Sequence, residues 1–213
     1  MHMLLHDLMP MEEFFLSYAE APLALRQLAK RIEPLYEAVL ETVLLCNAEV
    51  VFWGCNYDDA LTWPAFFQEE ITPWLKRVGE RLHTADKFLL THTDGENKGL
   101  LPYYAPTGMD IADSVCTTPM TKSSLAEVRE GMGPTITVWG GLPGAIFLED
   151  SMSQGEFKKY MDELLEELGN GDKLILGVSD NVPPDANMDR LEQVKQWIKA
   201  FGPVRPSQST CNM

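Results

Sequence analysis

Two residues at the end of one apolar stretch of this sequence are suited to proton transfer or metal binding. The stretch FLLTH (88–92) ends in His92, one of only four histidines in the chain, and Asp94 follows two residues later. Histidine exchanges protons near neutral pH and is a common metal ligand. The alternative is a histidine that is hydrogen-bonded to a loop, with Asp94 and Gly95 forming a turn. The pair therefore indicates either a functional site or a structured strand end.

Three further apolar stretches end in polar, glycine-rich segments of the same kind. A structural explanation competes for each residue type in them. An aspartate can cap a helix, paired glycines permit a tight turn, and aromatic side chains are more often buried than bound to a ligand. Backbone N–H groups at paired glycines can also bind an anion. The candidate substrate-binding residues in these segments are Tyr57, Asp58, Trp139, Gly140, Gly141 and Asn181, and Asp180 precedes the last of them.

The elements that must position these segments alternate between strand and helix. Short apolar runs rich in branched residues predict buried strands, and longer stretches with helical spacing predict helices between them. Pro34 and Pro73 are expected to kink or interrupt their helices. The predicted strands are 48–54, 87–92, 110–115, 135–140 and 173–178; the predicted helices are 11–20, 22–46, 64–85, 98–106, 123–133, 153–171 and 187–202.

This alternation predicts an α/β fold with a parallel sheet and right-handed crossovers. The strands are apolar at nearly every position, so both faces of the sheet are expected to be covered. An open doubly wound sheet and a part of a (βα)8 barrel both fit. No GxGxxG or GxxxxGK[ST] motif follows a strand, so a nucleotide-binding version of the open sheet is not favoured. In a barrel, chemistry belongs at the carboxyl ends of the strands, where the polar segments lie.

Composition excludes some classes of function. The chain has 213 residues and a net charge of −15, which argues against nucleic-acid binding because phosphate contacts need basic patches. No apolar run approaches the roughly 18 residues of a membrane span, and the N-terminus turns acidic at once, unlike a signal peptide. Four cysteines without paired spacing predict free thiols, of which Cys55 and Cys116 are possible spare ligands. A cytoplasmic protein is expected.

The order of the polar segments resembles the uroporphyrinogen decarboxylase superfamily, which includes zinc-dependent methyltransferases that move methyl groups between corrinoid proteins and thiols. The resemblance runs from about residue 3 to residue 202. It implies a TIM-barrel-type fold of which this sequence matches the last five βα units, with the first three strands of the barrel absent. The matching segments are HTDG (92–95), TGMDI (107–111), VWGGLPG (138–144), GVSDNVPPDAN (177–187) and FG (201–202).

The resemblance also implies a metal site. The methyltransferases place zinc on a His-x-Cys pair after one strand and a cysteine after the last strand. The matching positions here are His92, Asp94 and Asp180, so carboxylates replace both thiolates. One histidine and two carboxylates suit zinc or another divalent ion and leave positions for water or substrate. These three residues are therefore the predicted metal ligands and catalytic residues.

Three functions follow as hypotheses. The first is a metal-assisted methyl transfer between a corrinoid protein and a small acceptor. The second is a decarboxylation of the uroporphyrinogen type, as in porphyrin biosynthesis, which needs cationic groups; the arginines that those enzymes carry in their early strands have no counterpart here. The third is a non-catalytic half-barrel that binds a partner or itself.

The predicted domain organisation is a single barrel-like unit, residues 1–202, with a flexible tail at 203–213. Five strands cannot close a barrel of eight, so open strand edges and apolar rows would remain. We expect a second copy to cover them, giving a homodimer or larger assembly with an apolar interface near the first strand and residues 1–46.

Overall fold

A five-stranded sheet, entirely parallel, forms the centre of the protein. The computed structural model describes residues 1–54 and 56–204, so Cys55 and residues 205–213 of the expected tail lie outside the described residues. The strands follow one another across the sheet in the order of the sequence, which confirms the predicted parallel α/β architecture. They are β1 (Val50–Phe52), β2 (Phe88–His92), β3 (Ile111–Val115), β4 (Thr137–Leu142) and β5 (Leu174–Val178).

Helices precede the sheet and connect its strands. Within the described residues, no helix combines the length and apolar character that a bilayer span requires. Short π-helical turns lie at Leu4–Leu8 and Phe67–Ile71, and 3₁₀ turns at Ala105–Thr107 and Gly144–Phe147. The α-helices are α1 (Met11–Glu20), α2 (Pro22–Leu45), α3 (Pro64–Phe66), α4 (Thr72–Thr84), α5 (Leu101–Tyr104), α6 (Leu125–Met132), α7 (Gln154–Glu167) and α8 (Met188–Phe201).

Pro34 and Pro73 have different effects on the helices that contain them. Pro34 lies inside α2, which continues through it for a further 11 residues to Leu45. Pro73 is the second residue of α4, which begins at Thr72 immediately after the π-helical turn Phe67–Ile71 that joins α3 to α4. Because Pro73 has no N–H to donate to the preceding turn, a widened turn at that point accommodates the missing hydrogen bond. The expected interruption at Pro73 is thus a π-helical turn within helical backbone.

One face of the sheet is covered by helices. Leu89, Ala112 and Val138 lie on this face, and each is at most 1% exposed. Ala112 pairs with Val138 in the ladder, and residues paired in a parallel ladder point to the same side. These side chains belong to the main hydrophobic core, which includes residues of α4, α6 and α7.

The opposite face of the sheet is open. Register places alternate residues of each strand there, and several are large and apolar. This departs from the usual arrangement of parallel sheets, which are covered on both sides, and from the covering expected from the apolar strands. The exposed side chains on this face are Val50, Phe52, Phe88, Trp139 and Ile175, which are 40% to 58% exposed.

A buried arginine fixes the last helix to the segment that follows β4. Arg190 of α8 is 1% exposed, and its guanidinium donates to the carbonyl oxygens of Ile146, Leu148 and Met152. It also lies over the ring of Phe157, 5.0 Å from the centroid. Because a buried charge is tolerated only when it is fully hydrogen-bonded, these contacts hold α8 against the segment after β4.

Candidate metal centre

The site begins with two side chains on neighbouring strands. His92 is the last residue of β2, and its ladder partner is Asp113 of β3. Both side chains therefore point to the open face of the sheet. The Nδ1 atom of His92 lies 2.9 Å from Oδ2 of Asp113. Asp113 is held in turn by the Ser114 hydroxyl, which donates to the same oxygen at 3.2 Å.

The contact with Asp113 determines which nitrogen of His92 is available. An ionised carboxylate only accepts hydrogen bonds, so Nδ1 of His92 carries the proton. The Nε2 atom is the ring nitrogen left for a metal ion, and it points toward two other carboxylates. It lies 3.7 Å from Oδ2 of Asp94 and 3.6 Å from Oδ1 of Asp180. A carboxylate behind a histidine is the usual way in which metal sites fix the orientation of the ring.

The three predicted ligands converge on a volume that a metal ion fits. One ligand atom from each of His92, Asp94 and Asp180 lies within 4.8 Å of the other two. Metal–ligand bonds of about 2.1 Å in a tetrahedral arrangement place neighbouring ligand atoms roughly 3.4 Å apart. The observed separations from Nε2 exceed that value by only a few tenths of an ångström. The donor set is a neutral imidazole and two carboxylates, which suits zinc or another divalent ion.

Asp180 reaches this volume across the sheet. Three strand intervals separate β2 from β5, which would be about 14 Å in a flat sheet. The loop after β5 is drawn back over the sheet by Ser179, whose hydroxyl donates to the carbonyl oxygen of Val115 at 2.6 Å. The Asn181 amide donates to Oδ2 of Asp180 at 2.6 Å, which leaves Oδ1 toward His92. The loop after β5, held by the bond from Ser179, therefore brings Asp180 to the site.

The pairing of β3 with β4 is irregular at Val115, the residue that holds the loop after β5. The register shifts between Ala112 and Val115, and Ser114 has a positive φ of 59°. Gly140 of β4, with φ of 139°, lies directly against this bulge. A Cβ atom at Gly140 would overlap the carbonyl oxygen of Val115 and lie 2.7 Å from its nitrogen. Only glycine permits the two backbones to approach so closely.

The loop that carries Asp94 is fixed independently of the metal site. The Asn97 side chain donates to the carbonyl oxygens of Thr93 and Gly95, and it accepts a hydrogen bond from Tyr104. The amide and hydroxyl of Thr93 both donate to the carbonyl oxygen of Asp113. Among the described residues, the Asp94 carboxylate accepts no turn hydrogen bond. The turn therefore forms without it, and Asp94 faces His92.

The electrostatics of the site favour a cation. Asp94, Asp113 and Asp180 bring three carboxylates to one histidine. Within residues 1–54 and 56–204, the only ion-pair partner within 4.0 Å of these carboxylates is His92, and no lysine or arginine lies that close. The His92 side chain is only 16% exposed, which limits screening by water. A divalent cation would offset this concentration of negative charge.

The remaining predicted residues lie around the site in different roles. Tyr57 is 1% exposed and packs against the rings of Phe67 and Tyr104. Asp58 accepts backbone hydrogen bonds from Ala60, Leu61 and Glu96, and so joins two loops.

Trp139 and Gly141 lie on β4, and Cys116 directly follows β3. The Trp139 ring lies across β5 on the open face. A Cβ atom added to Gly177 of β5 would lie 3.2 Å from the indole nitrogen of Trp139. Gly141 has φ of 87°, and its carbonyl oxygen accepts from Thr117. Burial raises the pKa of the Cys116 thiol, which lies outside the ligand group.

Sequence reasoning missed two residues beside the ligands. Asp113 was hidden in a weak strand, although a charged residue within an apolar strand was a signal that could have been used. Phe52 of β1 lies on the open face with its ring 6.0 Å from that of His92. Phe52, unlike Asp113, cannot be distinguished from an ordinary strand residue without the register of the sheet.

Comparison with known proteins adds no family to these observations. No protein-family model matches the chain, and no curated protein matches it.

Proposed function

We propose that this protein binds a divalent metal ion at His92, Asp94 and Asp180 and uses it in the transfer of a methyl group to a small acceptor. The observation that carries the proposal is the convergence of these three side chains, with Asp113 setting the tautomer of His92. The methyl donor is proposed to be a corrinoid protein, and this part rests on the sequence resemblance to the uroporphyrinogen decarboxylase superfamily.

The residues of the site have separate roles in this proposal. A bound divalent ion supplies Lewis acidity, which lowers the pKa of an acceptor hydroxyl or thiol. His92 and the two aspartates hold the ion and leave coordination positions open. Asp113 keeps the His92 lone pair directed at the ion, and Asn181 keeps one oxygen of Asp180 directed there. In the proposed transfer, the acceptor oxygen or sulfur would form a bond to the methyl carbon as the cobalt–carbon bond of the corrinoid breaks; the cobalt would keep the electron pair of that bond, and the acceptor proton would pass to solvent.

The proposal is tested by methyl transfer from free methylcobalamin to 2-mercaptoethanol, followed by the visible absorbance of the corrinoid. We expect demethylation that requires both the protein and added Zn²⁺ and that falls at least 100-fold in His92→Ala. His83→Ala is the matched control, because His83 is an exposed surface histidine bonded to Asp110. Equal rates in His92→Ala and the unaltered protein, or no zinc-dependent rate, would overturn the proposal.

A second candidate, a non-catalytic interaction protein, is favoured by the open sheet face. Large apolar residues such as Phe52 and Phe88 are more than half exposed there. Exposed apolar patches of this kind are typical of binding surfaces. Decarboxylation of a substrate with several carboxylates has less support, because no lysine or arginine in the described part of the chain forms an ion pair with the carboxylates around His92.

A further inference from the structure

A large cavity lies beside the metal centre at the free edge of β1. Its volume is about 820 Å³, and α2, α4 and the N-terminal segment surround it. Phe52 lines it and also lies next to His92, so the cavity and the metal centre are neighbours. Volumes of this size are typical of sites for small organic ligands.

Three aromatic rings in the cavity wall form a nearly equilateral triangle. They come from Tyr36 of α2, Trp53 after β1 and Trp74 of α4. The distance between ring centroids is 6.5 Å for Tyr36 and Trp53, and 6.4 Å for each of the other two pairs. A group roughly 2.6 Å above the plane of the three centroids would lie about 4.5 Å from each ring, well inside the ~6 Å range of cation–π interactions.

One of the three rings, that of Trp74, already interacts with a cation of the protein. The Arg77 guanidinium lies 4.2 Å from the centroid of the Trp74 ring and forms ion pairs with Glu33 and Glu37. Among the described residues, Arg77 is over Trp74 only. The faces of Tyr36 and Trp53 therefore have no protein cation on them.

The charged groups around the cavity largely offset one another. The acidic lining residues are Asp7, Glu33, Glu69 and Glu70, and three of them pair with the two lining arginines: Glu33 with Arg77, and Glu69 and Glu70 with Arg26. Lys30, His2 and the Met1 amino group also line the cavity, and burial lowers the pKa of both the amino group and His2. The preference of the cavity for a cation therefore rests on its aromatic faces and not on net charge.

We propose that this cavity binds an organic cation whose quaternary or methylated ammonium group sits against Tyr36, Trp53 and Trp74. Such a group has a diffuse charge and apolar methyl surfaces, which match aromatic faces better than a strongly hydrated primary ammonium does. This ligand site goes beyond the proposed methyl transfer and needs no metal at His92.

The test is isothermal titration of the protein with choline and with 3,3-dimethyl-1-butanol, its uncharged carbon isostere. The two have the same shape, so the difference between them reports the cation. We expect choline to bind and the isostere to bind at least tenfold more weakly. Trp53→Leu should weaken choline binding about tenfold, with Trp53→Phe in between. Trp139→Leu, which alters a tryptophan on the open sheet face outside the cavity, should leave it unchanged.

Two results would overturn the inference. One is equal binding of choline and its isostere, or no binding of either. The other is unchanged choline affinity in Trp53→Leu; if that variant does not fold, Tyr36→Leu decides in the same way. His92→Ala should bind choline as the unaltered protein does, so a failure of the metal proposal remains distinguishable from a failure here.

Discussion

The Nδ1 atom of His92 lies 2.9 Å from Oδ2 of Asp113, its ladder partner on the neighbouring strand. This contact makes Nε2 the ligand atom and predicts that Asp113 acts through His92 and not on the ion itself. Asp113→Asn should therefore weaken Zn²⁺ binding by about 10- to 100-fold without unfolding the protein. The measurement is isothermal titration, combined with ¹⁵N NMR of the imidazole, which should show the Nδ1–H tautomer in the unaltered protein and lose it in Asp113→Asn.

The matched control for Asp113→Asn is Asp162→Asn, which changes an exposed aspartate on α7. This control should keep the zinc affinity and the His92 tautomer of the unaltered protein. If Asp113→Asn bound zinc as tightly as the control, the orienting role of Asp113 would be wrong.

The close approach of β3 and β4 predicts a large effect at Gly140. Gly140→Ala should lower the free energy of unfolding by about 2 kcal/mol or more, because its φ is positive and the added Cβ meets the backbone of Val115. Gly155→Ala in α7, where a Cβ meets nothing within 4 Å, should be neutral or slightly stabilising. Urea denaturation of both variants measures the difference. Similar stabilities would contradict the described packing of β3 against β4.

His2 predicts a pH dependence of stability. Burial and the nearby His6 lower the pKa of His2 to about 3, from 6.5 in an unfolded chain. Between these values the unfolded chain binds a proton that the folded protein does not, so the free energy of unfolding falls as the pH drops below about 6.5. His2→Leu should remove up to about 2 kcal/mol of the loss seen between pH 7.5 and pH 5.0.

Urea midpoints at the two pH values measure this effect. His83→Gln, which alters an exposed histidine, should not reduce the loss of stability at low pH. An unchanged pH dependence in His2→Leu would show that His2 is not buried in its neutral form.

The open sheet face predicts self-association. Phe88 and Ile175 are 53% and 43% exposed on the same face, and a second copy of the chain offers a matching apolar face. We expect a dimer or larger assembly in analytical ultracentrifugation at micromolar concentration. Phe88→Glu and Ile175→Glu should dissociate it, whereas Met188→Glu, at an exposed position of α8, should not. A monomeric unaltered protein at all concentrations would contradict this expectation.

The strands could be predicted because each is a short apolar run with a polar end, and the order of such runs fixes a parallel sheet. The first strand is shorter than its apolar run, 48–54, because Gly54 turns the backbone with φ of 82°. The starts of α6 and α7 follow from local chemistry as well, whereas α7 ends at Glu167 and not at the predicted residue 171. Ser124 and Ser153 each form a capping box with a glutamate three residues later.

The arrangement of the candidate site could be predicted only in part. His92 and Asp94 are neighbours in sequence, so their proximity follows from one loop. Asp113 is 21 residues from His92, and only the strand register makes them partners. The position of Asp180 depends on the bond from Ser179 to Val115, which joins residues 64 apart in the sequence. Such long-range geometry has no local sequence pattern.

The central claim is that His92, Asp94 and Asp180 bind one divalent ion. The most direct measurement is isothermal titration of metal-stripped protein with Zn²⁺, performed on the unaltered protein and on His92→Ala, with His83→Ala as the matched control. The structure predicts one zinc ion per chain for the unaltered protein and the control, and a loss of at least 100-fold in affinity for His92→Ala. Absence of stoichiometric binding, or equal binding by His92→Ala, would contradict the claim.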